Sequence, residues 1–398
     1  MNHTPPPAFN GDLASLLWPV SVETFFRDYW QTQPLHVSHA DTCFAGLYSL
    51  DDIDDLVRFT APIDAGSDKV RMGIKGLAVP DLELRGREAP GFNYELIRAG
   101  SQAVSLVLNH IHEDNRCVAV LARRLQRDFA GRLKTSVNVN AYLTPGHSWL
   151  GLHRDTHDEI NLQVLGAKTW RIYESDVPLP IPEMPVPAAP PRPLGPPCLE
   201  FDVRQGDVLY MPRGFWHDPV NLEDGPSLGL TVGLTAMVWS DVLVGSIRLA
   251  AAAHEPLRRG VPPEAGSDMA LPPTSRELFE RAQPWAAAAS AVDAIQRGLD
   301  AGLPAWTACG DTPAGLRPDS HLRRSPSSTW QFHVVCGMIR LEVDGRRLGL
   351  RLELREALEA MRTREDFTPS QLPGALPEEE RLGCCRLLMR FGAIQMVE

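Results

Sequence analysis

The chain lacks any uncharged run of about 20 apolar residues, the length a bilayer-spanning helix needs. The nearest approach, Leu234 to Ala253, is interrupted by Asp241 and Arg248, so no membrane-spanning helix is expected. Met1 to Asn10 has no basic leader or apolar core and instead carries Pro5, Pro6 and Pro7, which makes the cytoplasm the expected compartment. The seven cysteines are odd in number, scattered and free of any C-x-x-C pair. They exclude a disulfide framework and a cysteine zinc site, and are expected to be reduced, mostly buried thiols. Excess positive charge is missing as well: at a net charge of -11 the chain is poorly matched to phosphate and better matched to a basic partner. Lysine is almost absent, with four (Lys69, Lys75, Lys134 and Lys168) against 35 arginines.

What is present is globular. With 398 residues, 43% hydrophobic and 22% charged, the chain has apolar mass for a large core and length for two or three domains. Residues 1–130 read as helix-rich support. Val20 to Tyr29 and Leu50 to Phe59 have helical spacing, and Ala103 to Phe129 reads as one long amphipathic helix. Residues 131–238 change to short runs rich in Val, Ile, Tyr and Trp, broken by Gly and Pro, the mark of a β-barrel or sandwich. Inside them, residues 177–197 hold ten prolines, too many for a helix or a central strand, and predict an exposed polyproline-like insertion. Helical spacing returns over 239–328, clearest from Ala286 to Leu299. Residues 329–398 combine a strand over Gln331 to Val335, a hairpin over Met338 to Leu348 turning at Asp344-Gly345, and helices over Glu353 to Arg364 and Glu378 to Phe391. Two helices beside a hairpin predict a winged-helix unit. Its ten arginines are outnumbered by eleven acidic residues, and its second helix opens Glu378-Glu379-Glu380, which argues against DNA binding.

His153-Arg154-Asp155 opens an alternating stretch in which i and i+2 side chains share a face, so His153 and Asp155 can grip one ion. Farther along, Gly206-x5-Pro212-x-Gly214-x2-His217-x3-Asn221 places a histidine after a strand and a Pro/Gly turn. Two histidines and a carboxylate form the facial triad that leaves three positions open on non-haem Fe(II), as oxygen chemistry requires. Two rival clusters compete with it. His157-x-Glu159 has the same spacing, but a glycine-rich entry precedes His153-x-Asp155 and a continuous strand follows it. His110-x-His112-Glu113 lies in a helical stretch, where i and i+2 diverge, and reads as exposed helix surface. A hairpin predicted over Glu159 to Glu174, turning near Gly166-Ala167, sets Lys168, Trp170 and Ile172 on one face and Thr169, Arg171 and Tyr173 on the other. Lys168 then points an ammonium inward, where it needs an anion. Tyr142, Trp149, Trp170 and Trp216 flank these motifs, as pocket walls or as ordinary core.

The later motif matches the second cupin motif in full. Asn140-Ala-Tyr142-Leu-Thr144-Pro145, His153-x-Asp155 and Gly166-Ala-Lys168-x-Trp170-Arg171-x-Tyr173 resemble the JmjC-type ribosomal oxygenases, which are 2-oxoglutarate-dependent hydroxylases. The resemblance spans most of the chain and implies an α+β fold. Its parts would be a double-stranded β-helix (JmjC/cupin jelly-roll) barrel at 131–238, a helical N-terminal part, a helical dimerisation segment at 239–328 and a C-terminal winged helix. It implies Fe(II) on His153, Asp155 and His217, the distal carboxylate of 2-oxoglutarate on Lys168, and further cosubstrate contacts from Asn140 and Thr231. It also implies a homodimer acting on an arginine or histidine of a basic ribosomal protein, and the charge balance adds that no direct nucleic-acid contact is expected. Two other classes would keep this barrel. One is a peptide-tailoring hydroxylase of a small natural product, favoured by the Pro-rich insertion; the other is a noncatalytic metal-binding cupin, which would not need Lys168.

Overall fold

The computed structural model describes residues 9–61, 68–74, 77–78, 94, 97–98, 101, 104–149, 151–187, 189–260, 280, 287–300, 303, 306, 309, 313, 315–325 and 329–397. The chain divides into two compact units, one of residues 1–125, 137–233 and 304–398, the other of 126–136 and 234–303.

In the first unit, side-chain caps open the early helices. Asp12 caps α1 (Leu13–Leu17), Ser21 caps α2 (Val22–Thr24), which runs on as a π-helical turn to Tyr29, and Ser49 caps α3 (Leu50–Phe59). The expected helix from Ala103 to Phe129 is not formed as such. Ala103 lies outside the described residues, Ser105–Leu108 is a strand, and the helix α4 begins only at Arg116 (Arg116–Asp128). Ser105-Leu-Val-Leu108 is buried on both faces, and a short continuous apolar run has no periodicity to separate strand from helix. The N-terminal region therefore supplies strands as well as support: β1 (Leu35–Val37), β2 (Val70–Ile74), β3 (Leu77–Ala78) and β4 (Ser105–Leu108).

These join β5 (Asn138–Thr144), β6 (Ser148–Trp149), β7 (Asp158–Leu165), β8 (Ala167–Tyr173), β9 (Leu199–Arg204), β10 (Val208–Met211), β11 (Trp216–Asn221) and β12 (Ser227–Leu234) in two sheets. The larger runs β1-β10-β7-β12-β5-β4-β2-β3 and the smaller β6-β11-β8-β9. Trp170, Ile172 and Val203 of the smaller sheet pack against Leu209 and Met211 of the larger, so the core lies between them. The chain is thus mixed α+β with a jelly-roll-like sheet domain, as expected. The predicted β7–β8 hairpin is a correction, because each strand already has two neighbours in a different sheet. Gly166, at φ +65°, turns the corner where an added Cβ would stand 2.7 Å from the Pro226 carbonyl oxygen. The predicted alternation survives: Lys168, Trp170 and Ile172 are buried, Thr169, Arg171 and Tyr173 half-buried.

Apart from Ala188, which lies outside the described residues, the Pro-rich insertion has neither helix nor strand. In the second unit, α5 (Trp239–Ala253) buries Val242, Ser246 and Ala250 and meets α6 (Ala288–Asp300) at Ala291. Ala286, the expected helix start, lies outside the described residues. Back in the first unit, β13 (Leu322–Arg324) precedes the meander β14 (Trp330–Val335), β15 (Met338–Val343) and β16 (Arg346–Arg351). The turn at Asp344 and Gly345 has both residues at positive φ, as a two-residue hairpin loop requires. The helices α7 (Arg355–Thr363) and α8 (Glu378–Arg390) follow, and β17 (Asp366–Phe367) and β18 (Ile394–Met396) flank β13 in a separate sheet. α8 docks on α3: Arg386 donates twice to Asp55, at 2.7 and 2.8 Å, and Arg390 pairs with Asp52 at 2.8 Å.

No helix among the described residues is long and apolar enough to cross a membrane. All seven cysteines are free, but Cys198, Cys309 and Cys336 are exposed, so the expectation of mostly buried thiols does not hold. Cys198 directly follows the Pro-rich insertion and Cys336 sits in the β14–β15 turn at φ +51°.

Candidate metal centre and cosubstrate pocket

His153 and Asp155 do not stand on a regular strand, as the alternation suggested; residues 151–157 form the loop entering β7. A single antiparallel bridge fixes that loop. The His153 N–H donates to the His217 carbonyl at 3.1 Å, the His217 N–H to the His153 carbonyl at 2.8 Å, and the Gly214 N–H to the Asp155 carbonyl at 2.9 Å. Other residues of the second motif hold the opposite side of the bridge. Gly214, at φ +93°, has Pro180 Cδ and Ser175 Oγ within 2.8 Å of where a Cβ would sit, so no other residue fits. Asn221, fully buried, donates to the carbonyls of Thr144, Pro145 and Gly225 at 3.2, 3.2 and 2.9 Å and so ties the end of β11 to β5. Arg213 and Asp158 form a buried ion pair at 2.7 Å, and Arg213 also donates to the Pro180 carbonyl.

The hydrogen bonds of the two histidine rings decide what they can do. His153 Nδ1 lies 2.7 Å from the Gly151 carbonyl and His217 Nδ1 lies 3.1 Å from the Phe215 carbonyl. A carbonyl only accepts, so each Nδ1 carries the proton and each Nε2 keeps a lone pair. The two Nε2 atoms face one another at 3.1 Å, with Asp155 Oδ2 at 3.8 and 3.5 Å. Burial and then the neighbouring His153 push the His217 pKa down, so the ring stays neutral. Two lone pairs and a carboxylate converging without a proton between them call for a cation. Neighbouring ligands on a metal with ~2.1 Å bonds stand about 3 Å apart, so this donor set fits a divalent ion. Trp170 lies against the back of His217, ring centroids 5.6 Å apart.

The rival clusters fail on the same test. His112 is buried in a short 3-10 turn, not exposed on a helix as expected, because His110 at φ +55° breaks the helical path. Its Nδ1 accepts the Val139 N–H at 3.2 Å. A neutral imidazole has one lone pair, so Nε2 is protonated and cannot ligate. Burial, with Lys69 and His110 adding to it, lowers its pKa to about 3. His157 Nε2 is 3.3 Å from Glu159 Oε1 and is committed to that pair; burial opposes the imidazolium, but Glu159 outweighs it and raises the pKa to about 9.

A cavity of about 40 Å³ is lined by His153 and His217 together with Lys168. Lys168 is buried, its ammonium has no carboxylate partner among the described residues, and burial lowers its pKa to about 8. Thr231, also on the wall, donates to Asn161 Oδ1 at 2.6 Å, and Asn161 Nδ2 donates to Glu159 Oε2 at 3.3 Å. Asn140 stands directly across the ladder from Thr231, but its Oδ1 accepts the His110 N–H at 2.9 Å, and it is not among the wall residues. Of the flanking aromatics, Tyr142 and Trp170 line the cavity, whereas Trp149 and Trp216 do not. Asn161 was missed by sequence reasoning. The available signal was Glu159-x-Asn161-x-Gln163, three polar residues on one face of a strand buried on both sides. A cavity of about 690 Å³ against α3, β4 and β5 contains none of these groups, so chemistry and not size identifies the site.

Residues 118–242 match the JmjC domain family. Ribosomal oxygenase 2 of Mus musculus is 30% identical over 242 residues, covering 58% of this chain and 49% of that protein. The bifunctional lysine-specific demethylase and histidyl-hydroxylase NO66 of Drosophila persimilis is 31% identical over 239 residues, covering 55% and 31%. Ribosomal oxygenase 1 of Homo sapiens is 30% identical over 262 residues, covering 62% and 38%. The chain therefore spans about a third to a half of the length of these curated relatives. The solved structure of the Escherichia coli ribosomal oxygenase YcfD is 15% identical, with a TM-score of 0.44 over 95% of this chain and 98% of that one.

Proposed function

Because the chain is a JmjC-domain protein related to the ribosomal oxygenases, we propose that it is an Fe(II)- and 2-oxoglutarate-dependent hydroxylase of an arginine or histidine side chain in a ribosomal protein. The observation that carries this reading is the convergence of the His153 and His217 Nε2 lone pairs on a point beside Asp155. When bound, iron with 2-oxoglutarate and dioxygen supplies the oxidation: one oxygen atom enters a substrate C–H bond, the other enters succinate, and carbon dioxide leaves. His153, Asp155 and His217 would hold the metal. Lys168 would pair with the far carboxylate of the cosubstrate, with Thr231 beside it and Asn140 behind that wall. Tyr142 and Trp170 would exclude water from the reacting centre.

The net charge of -11 supports a basic protein substrate, and the absence of a membrane-crossing helix among the described residues is compatible with action in the cytoplasm. Homodimerisation is part of the same proposal. On α5, Trp239, Leu243 and Ile247 form an exposed apolar stripe at i, i+4 and i+8, with Trp239 80% exposed, a surface suited to a second copy. The buried Lys168, without a carboxylate partner among the described residues, counts against a noncatalytic metal-binding cupin. A peptide-tailoring hydroxylase would use the same site and differ in substrate alone.

Purified protein supplied with Fe(II) should release succinate from 2-oxoglutarate at a slow uncoupled rate, and His217→Ala should abolish it. Undiminished turnover in that variant would remove the triad from the reaction. Intact-mass spectra of ribosomal proteins should show one added oxygen in cells that contain the protein and none in deletion cells. Identical spectra would move the peptide-tailoring reading to first place.

A further inference from the structure

We propose that Asp176, at the head of the Pro-rich insertion, is a positioning residue for the metal centre; this rests on reading His153, Asp155 and His217 as ligands. Side chains alternate across the bridge that joins the two motif segments. His153, Asp155 and His217 converge on one side, and the residues between and beside them, Arg154 and Trp216, meet on the other, with the guanidinium carbon 5.5 Å from the ring centroid. One carboxylate addresses both. Asp176 Oδ1 accepts the Trp216 Nε1–H at 2.7 Å and lies 3.5 Å from Arg154 Nη1.

Both partners are out of water, Arg154 at 5% and Trp216 at 0% exposure. Arg154 Nε and Nη1 make no hydrogen bond, so Asp176 acts on this cation as a counter-charge and not as a hydrogen-bond acceptor. Among the described residues it is the carboxylate paired with Arg154. Two effects on the metal follow. Holding the Trp216 ring and the guanidinium fixes the backbone one residue from His217 and from both His153 and Asp155, and with it the 3.1 Å separation of the Nε2 atoms. Neutralising Arg154 also removes a buried positive charge that would repel a divalent cation one residue away. The same stretch of chain adds Pro180, whose carbonyl accepts from Arg213 and whose ring abuts Gly214, so residues 176–180 clamp the second ligand segment from behind.

The test uses Co(II) alone as the probe, read by titration and by its visible d–d spectrum, in the full chain. Asp176→Ala should weaken Co(II) binding about tenfold to a hundredfold, the usual range for a group that orients a ligand, and should alter the spectrum of the loaded protein. Asp176→Asn keeps an acceptor for Trp216 and loses the charge, so it should restore the wild-type spectrum while recovering only part of the affinity. Circular dichroism of the metal-free proteins reports folding; if Asp176→Ala does not fold, Asp176→Asn carries the test through its affinity. Wild-type affinity and spectrum in the folded Asp176 variants, with binding lost in His217→Ala, would overturn this inference and leave the triad standing. Absence of Co(II) binding in the wild-type protein would overturn both.

Discussion

Lys168→Met should make the protein more stable at neutral pH and less able to bind its cosubstrate. Burial of the wild-type ammonium, which has no carboxylate partner among the described residues, lowers its pKa from 10.5 to about 8. At ~1.36 kcal/mol per pH unit, that shift costs the folded state about 3 kcal/mol wherever both folded and unfolded chains carry the proton. Methionine has nearly the same length and volume and no charge, and such swaps cost under ~1.5 kcal/mol, so a net gain of about 2 kcal/mol remains. The pH dependence has a definite sign. Below pH 8 the penalty is complete and constant. Between pH 8 and 10.5 the unfolded chain binds more protons than the folded one, so wild-type stability rises with pH. Above 10.5 the penalty is gone. Urea denaturation of both proteins without cosubstrate, at pH 7 and pH 10.5, measures the difference while the other titrating groups cancel. Calorimetric titration with 2-oxoglutarate should show affinity reduced about tenfold to a hundredfold, the worth of a charged contact of ~1.5 to 3 kcal/mol. A variant no more stable than wild type at pH 7, or a gap that does not close by pH 10.5, would refute the destabilising buried ammonium.

Asn221→Ala should lower stability by about 2 to 4 kcal/mol, since three carbonyls lose their donor at once; an unchanged urea midpoint would contradict it. Arg213→Ala leaves Asp158 as a buried unpaired charge and should cost about 3 to 5 kcal/mol, with Asp158→Asn in the same protein recovering part of the loss. His112 stays neutral when folded down to about pH 3, whereas the unfolded ring protonates near 6.5, so its contribution disappears as pH falls from 6.5 toward 3. Histidine proton NMR should find that ring untitrated at pH 5, and an ordinary titration there would be decisive against its burial. Trp239→Glu should convert a species near twice 43.9 kDa into one near 43.9 kDa in light scattering, and a wild-type monomer would end the dimer proposal.

The candidate metal centre was legible because its geometry is encoded locally. Gly214 is required by positive φ and contact, Asn221 by three carbonyls, and both occur at fixed distances from His217. Lys168 stood out through composition, one of four lysines set in a strand of Trp, Ile and Tyr. The Glu159-x-Asn161-x-Gln163 pattern was ambiguous because polar residues on one strand face ordinarily mark the solvent side, and only the partner sheet tells that this face looks inward. The β7–β8 corner was hidden for a related reason: a Gly-Ala turn between two alternating strands reads the same whether the strands pair with each other or part to different sheets. Strand β4 was mistaken for helix because burial on both faces erases the period on which the distinction depends.

The buried carboxylates Asp52 and Asp55 of α3 find their arginine partners on α8, and the distance along the chain has a consequence in time. Synthesis delivers Asp52 and Asp55 more than 300 residues before Arg386 and Arg390, an interval of roughly 15 to 70 seconds at ~5 to 20 residues per second. Both carboxylates are buried in the finished protein, and Asp55 is raised to about 7 by burial even with Arg386 beside it. These two pairs can therefore close only after α8 has been synthesised. The charges on the buried face of this early helix are thus matched only when one of the latest elements of the chain arrives.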